Sequence, residues 1–180
     1  SDLDRDWYVL EISSFQLDDM YQFHAHIAVL LNITPDHLDR YGHVMQRYVD
    51  SKMRIIRNQD EHDFFIYWNE DEHIPKELKR EQRPQQLLPF TDRYQKTSCG
   101  YAAGTPGSNS YGLSDDGKMI ISAPRQFEKP LAELSLPGKH NLRNCLAAAL
   151  ATLAAGVDIP TLNQCLSDFP GVEHRLEKVG

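Results

Sequence analysis

A doubly wound α/β layer, with a mostly parallel sheet flanked by helices and a small antiparallel β insertion, is the fold class this sequence predicts. Three observations carry the prediction. The run "HIAVLLNI" (26–33) is almost continuously apolar, as expected for a strand buried on both faces inside a parallel sheet. A stretch with helical spacing follows, and then a second β-like run, "DFFIYWN" (63–69), at the lengths of strand–helix–strand units. Further on, Asp116-Gly117 stands between two short β-like runs in "YGLSDDGKMIIS", a strong hairpin signal.

Taken in order, "DWYVLEIS" (6–13) has the β-branched and aromatic content of a first strand. The run at 26–33 is the second. "HVMQRYVDSKMRIIRN" keeps helical periodicity, and 63–69 is the next strand. Composition shifts after about Pro84. The stretch 92–135 is rich in Gly, Ser and Pro, and a small antiparallel unit is expected at about 92–122, within one partial domain spanning 1–180. "LPGKHNLRNCLAAALATLAAG" restores a helix in which Leu142, Cys145, Leu146, Ala149, Leu150 and Leu153 keep the period. Gly156 stands where a C-terminal cap belongs. A shorter helix from about Pro160 to Asp168 and a final strand, "HRLEKV", close the chain.

With 180 residues, 41% hydrophobic and 25% charged, the chain can bury a real core and is not broadly disordered. A net charge of −7 argues against a nucleic-acid surface, which needs clustered Lys and Arg. No apolar stretch approaches the roughly 20 residues that cross a bilayer, and "SDLDRDW" has none of the features of a signal peptide. Cys99, Cys145 and Cys165 are odd in number and form no C-x-x-C, as expected of reduced thiols in a cytoplasmic protein.

Ligands of a parallel α/β sheet collect beyond the carboxyl ends of its strands. Glu11 falls at the end of the first predicted strand, and His37 just past the end of the second. If those strands run parallel, a carboxylate and an imidazole reach one edge. There they form either a hydrogen-bonded turn or a pair able to hold a divalent metal or move a proton. Asp36 and Asp39 flank His37 as turn and cap residues. At about 100° per residue, Lys52 shares a helical face with Met45, Val49 and Ile56. Its amine either snorkels to water or sits desolvated near the strand ends. Asn141 and Asn144 lie one turn apart at a helix start: an N-cap explains the first, and the second could read an amide or purine edge. "HAH" (24–26) is a weak zinc fragment. Nothing matches G-x-x-x-x-G-K-[ST]: Gly117-Lys118 lies in the hairpin, and Gly138-Lys139 is followed by His140.

Together "EISSFQL", "LNITPDHLDRYG", "SKMRI", "LPGKHNLRNCLAAA" and "FPGVEHRLE" resemble the Mur ligases of bacterial cell-wall synthesis. "SSFQL" with "DHLDRY" is similar to the branch that joins D-glutamate to UDP-N-acetylmuramoyl-L-alanine. The resemblance implies the middle of a central ATPase domain, with the P-loop, an N-terminal UDP-binding domain and a C-terminal domain elsewhere in a longer protein. Such a fragment is expected to be inactive alone. It also implies a cytoplasmic ligase using ATP and Mg2+, with no nucleic-acid or membrane partner. Carried over by motif, Glu11 and His37 would bind magnesium, and Lys52 would join them as a carbamate. Ser13 and Gln16 would face the muramoyl-alanine end. Asn141 and Asn144 would hold ATP, with His174 and Arg175 of the last motif. Two alternatives remain open at this point: another Mur ligase or folylpolyglutamate synthase-like enzyme, or a non-catalytic nucleotide-binding scaffold.

Overall fold

A computed structural model describes residues 5–81, 83–95 and 111–171. Two sheets share the molecule. The first is parallel, in the order β1-β2-β3, from β1 (Ile27–Leu30), β2 (Phe64–Trp68) and β3 (Gln86–Phe90). The second runs β4-β5-β6-β7, from β4 (Tyr94–Gln95), β5 (Tyr111–Ser114), β6 (Lys118–Ile121) and β7 (Phe127–Pro130). Its β5–β6 and β6–β7 pairings are antiparallel, while β4 runs parallel to β5.

Alternation along the parallel strands sends side chains into two cores. Ile27, Val29, Phe64, Ile66, Trp68, Leu88 and Phe90 join α4 (Lys139–Ala154) and α5 (Ile159–Asp168). Ala28, Leu30, Phe65 and Tyr67 face α2 (Met45–Met53) and Ile74 of α3 (Ile74–Arg80). Helices therefore cover both faces, as expected for a strand apolar all round. The inner face of the second sheet (Tyr111, Leu113, Met119, Ile121, Phe127) packs into the same core as α4 and α5. The sheets meet where the Thr91 amide donates to the Tyr111 carbonyl at 2.9 Å. Gly112 lies in that seam: a Cβ there would stand 2.7 Å from Thr91 Cγ2 and 2.9 Å from the Thr91 carbonyl oxygen.

The first predicted strand does not form. Residues 6–13 are non-regular and lead into α1 (Ser14–Asp19). Tyr8, Val9 and Leu10 are 60%, 97% and 61% exposed. β-propensity expresses a fit to neighbouring strands, and no strand pairs with this segment among the described residues. The third parallel strand is instead "QLLPF", where Pro89 masks the strand pattern. Pro is tolerated on an edge strand, and β3 is at the edge. In the second sheet the hairpin turns at Asp116-Gly117, with Gly117 at φ +79°, and strands continue to Pro130.

α4 ends in a Schellman cap. The Gly156 amide donates to the Leu153 carbonyl and the Val157 amide to the Thr152 carbonyl, with Gly156 at φ +84°. α5 begins at Asp158, whose side chain caps the Thr161 amide. Buried Lys129 of β7 donates to Asn163 Oδ1 and Ser167 Oγ, both at 2.8 Å, tying the second sheet to α5. Gln59 clasps the parallel sheet, its Nε2 donating to the carbonyls of Ala25 and Phe64, each at 2.9 Å. Cys145 and Cys165 are free thiols. No helix among the described residues is long and apolar enough to cross a membrane. The final predicted strand and Cys99 lie outside the described residues.

Candidate active site at the carboxyl edge of the parallel sheet

Past β1 the chain is anchored before it turns. Buried Ile33 donates its amide to Asp71 Oδ2 at 2.8 Å. Asp71 Oδ1 accepts from the amides of His73 and Ile74, at 2.8 and 2.9 Å. One buried carboxylate thus fixes the exit of β1 against the start of α3.

"PDHLDRYG" then folds into consecutive tight turns. Arg40 donates to the His37 carbonyl at 3.1 Å, Tyr41 to Leu38 at 3.0 Å, Gly42 to Asp39 at 3.2 Å and His43 to Leu38 at 2.7 Å. His37 and His43 have φ of +48° and +58°, a left-handed conformation costly for side chains other than Gly and concentrated at functional turns. The His37 ring is exposed, its Nε2 3.6 Å from the Asp36 carboxylate.

α1 meets this turn through Phe15, whose ring centroid lies 5.3 Å from that of His37 and 4.5 Å from the Arg40 guanidinium carbon. Phe15 also stacks on Tyr41 at 6.3 Å, and Tyr41 meets Tyr48 of α2 at 5.3 Å. At the far end, the Lys52 ammonium lies 5.1 Å from the centre of the Tyr48 ring. His37 and Lys52 therefore sit at opposite ends of one aromatic row. The Tyr41 hydroxyl donates to Asp18 Oδ2 and bonds Ser51 Oγ, each at 3.2 Å, and Ser51 Oγ donates to the Ser14 carbonyl at 2.9 Å.

The expected site residues fall into place unevenly. Lys52 is half-exposed, at the margin of a buried α2 face made by Tyr48, Val49 and Met53, with Ile56 just beyond. Glu11 is exposed in the non-regular segment ahead of α1, not at a strand end. Ser13 and Gln16 form a reciprocal capping box: the Gln16 amide donates to Ser13 Oγ at 3.3 Å, and the Ser13 amide to Gln16 Oε1 at 2.9 Å. Asn141 is not the N-cap of α4; Gly138 is, at φ +100°, and Asn141 Nδ2 donates back to the Pro137 carbonyl at 2.7 Å. Asn144 is exposed one turn on. His174 and Arg175 lie outside the described residues.

Sequence reasoning missed three residues that join α4 to the ends of β2 and β3. Arg143 lies 3.7 Å over the Trp68 ring, and its Nε and an Nη reach Asp92 Oδ2 at 2.8 and 2.7 Å. The Trp68 indole donates to Asp92 Oδ1 at 3.3 Å. This clamp pins the start of α4 to the ends of β2 and β3. The aromatic Trp68 at a strand end and the Arg within "NLRN" were its only sequence signals. Phe15 was missed as well, although it sits inside "SSFQL".

The donor chemistry can be matched to an oxygen-preferring dication. The His37 imidazole, exposed like Glu11, offers a nitrogen that magnesium takes less readily than oxygen, whereas the Glu11 carboxylate suits such an ion. Lys52 as an ammonium does not; it fits only with its nitrogen converted to a carbamate, which presents oxygens.

A parallel α/β core with a left-handed histidine turn past β1 and two asparagines in the first turns of α4 defines the class: an α/β layer whose ligands gather at the carboxyl edge of its strands. The chain belongs to the Mur ligase family: residues 2–152 match the Mur ligase middle domain. It is 46% identical over 175 residues to the UDP-N-acetylmuramoylalanine--D-glutamate ligase of Bacteroides fragilis, covering 97% of this chain and 37% of that protein. The same-named ligase of Porphyromonas gingivalis is 39% identical, over 96% of this chain and 36% of that protein. The chain thus spans little more than a third of the length of these relatives. Among solved structures, MurF from Acinetobacter baumannii superposes with a TM-score of 0.55 at 18% identity, covering 84% of this chain and 31% of MurF. A murein peptide ligase, Mpl, from Psychrobacter arcticus gives 0.55 at 19%, over 88% and 30%. These two likenesses concern the fold.

Proposed function

We propose that this chain is the central part of an ATP-dependent ligase that joins D-glutamate to UDP-N-acetylmuramoyl-L-alanine in peptidoglycan synthesis. The observation that carries this reading is the 46% identity over 97% of the chain to ligases of that name. In the reaction, ATP phosphorylates the alanyl carboxylate. The amine of D-glutamate attacks the resulting acyl phosphate and expels phosphate, leaving an amide and ADP.

Magnesium, when bound, offsets the charge that develops on the phosphoryl oxygens. Glu11 and His37 are the residues to hold it, joined by Lys52 as a carbamate. The turns after His37 and its contact with Phe15 fix the imidazole at the sheet edge. Ser13 and Gln16 stand at the start of α1, on the side assigned to the muramoyl-alanine end. Asn141 and Asn144, with His174 and Arg175, serve ATP. The Arg143–Trp68–Asp92 clamp holds the helix that carries the two asparagines. ATP and the nucleotide-linked substrate place the enzyme in the cytoplasm.

The test uses the full-length protein. Phosphate release from ATP should require both UDP-N-acetylmuramoyl-L-alanine and D-glutamate, and L-lysine or D-alanyl-D-alanine should not substitute. Lys52→Ala should lose turnover and regain part of it when formate or acetate is added. Full turnover of Lys52→Ala without additive would overturn the carbamate role, and release driven by another amino acid would overturn the substrate.

A further inference from the structure

We propose a second metal site, for a first-row transition-metal dication, at the amino edge of the parallel sheet, formed by His24, Asp60 and Asp63 and braced by His26. β1 and β2 begin in register, Ile27 opposite Phe64, so the residues just ahead of them are brought together. This is the edge opposite the one where His37 lies.

Asp63 is the centre of the cluster, its side chain only 3% exposed. Its Oδ2 lies 2.5 Å from His24 Nε2 and accepts from the Asp60 amide at 2.7 Å. Its Oδ1 lies 2.9 Å from His26 Nδ1. His26 is itself held between Trp7, stacked at 5.7 Å, and the edge of Phe64 at 5.9 Å. Asp60 is also oriented, because Oδ1 accepts from the His62 amide at 2.8 Å. One ligand atom each from His24, Asp60 and Asp63 lies within 4.8 Å of the other two.

Those donors and that spacing suit a small dication. One imidazole and two carboxylates carry two negative charges when the imidazole is neutral. A nitrogen with oxygens suits zinc, cobalt or nickel better than magnesium, which favours an all-oxygen shell. Metal–ligand distances of about 2.0–2.2 Å ask the His24–Asp63 pair to open from 2.5 Å to about 3–3.4 Å, exchanging their hydrogen bond for two bonds to the ion. The imidazole proton then moves from Nε2 to Nδ1 through solvent, and the freed Nε2 lone pair takes the metal. His26 keeps its hold on Asp63 Oδ1, the outer support that ligating carboxylates use. The bound ion would staple the segment entering β1 to the segment entering β2, a structural role separate from the chemistry at the far edge.

The test uses the 180-residue chain, stripped with chelator and titrated with ZnCl2 by calorimetry and with CoCl2 by visible absorption. One equivalent should bind and raise Tm. Because His24 and Asp60 are exposed, His24→Ala and Asp60→Asn should stay folded, and each should weaken binding on the order of 10- to 100-fold. His37→Ala should leave it unchanged. As a check that needs no variant, cobalt should shift or broaden backbone NMR signals of 24–26 and 60–63 first. No saturable one-to-one binding, binding indifferent to His24→Ala and Asp60→Asn, or NMR effects centred on residues 36–43 would each overturn the proposal.

Discussion

Burial of the Asp63 carboxylate alone would raise its pKa. The hydrogen bonds from the Asp60 amide, His24 and His26, with the charge of His24, outweigh burial and hold it below the usual carboxylate value. A carboxyl depressed in the folded state contributes stability above its unfolded pKa, near 4, and loses that contribution as pH falls through the folded value. Urea denaturation of Asp63→Asn should therefore show a shallower loss of stability below about pH 4 than the parent chain. His37, past the carboxyl end of β1, and Glu11, ahead of α1, are both exposed, so folding leans little on their side chains. His37→Ala and Glu11→Gln should change unfolding free energy by less than about 0.5 kcal/mol, while turnover of the full-length enzyme falls steeply. A large loss of stability in either would recast these residues as structural.

Elements explain what the sequence could and could not reveal. The run 26–33 was legible because a strand buried on both faces needs no alternation, and Asp116-Gly117 because left-handed turn geometry demands such residues. The segment 6–13 was misread because its composition favours a strand, yet a ladder needs a neighbour. Pro89 concealed β3 for the reason that makes it tolerable there. At the site, the turn around His37 was legible from its polarity after an apolar run. The stack of Arg143 on Trp68 joins residues far apart in sequence, and no local pattern announces it. Two tests belong at this scale. Gly112→Ala forces a methyl into the Thr91 backbone and should cost about 1–3 kcal/mol, read by denaturation. Ser13→Ala removes half of the capping box on a six-residue helix and should cost about 1 kcal/mol, with an added rise in KM for the muramoyl substrate in the full-length enzyme.

Over the whole molecule, the second sheet and the α4–α5 face of the parallel sheet share one apolar core, so the two should unfold together in a single transition. Phosphoryl transfer rests on positioning the phosphates, and no G-x-x-x-x-G-K-[ST] occurs in these 180 residues. Incubated with ATP, magnesium, UDP-N-acetylmuramoyl-L-alanine and D-glutamate, this chain alone should release no phosphate above background in a colorimetric assay. Robust release would mean that other residues of this chain hold the phosphates without a P-loop. The chain's two tryptophans also make it a two-point optical gauge. Trp7, 47% exposed, stacks on His26 before β1, whereas Trp68 lies beneath Arg143 at the end of β2. Trp7→Phe leaves one emitter watching the carboxyl edge, and Trp68→Phe leaves one watching the amino edge. Quenching of the first by ATP and of the second by cobalt would let each end of the sheet be followed by its own light.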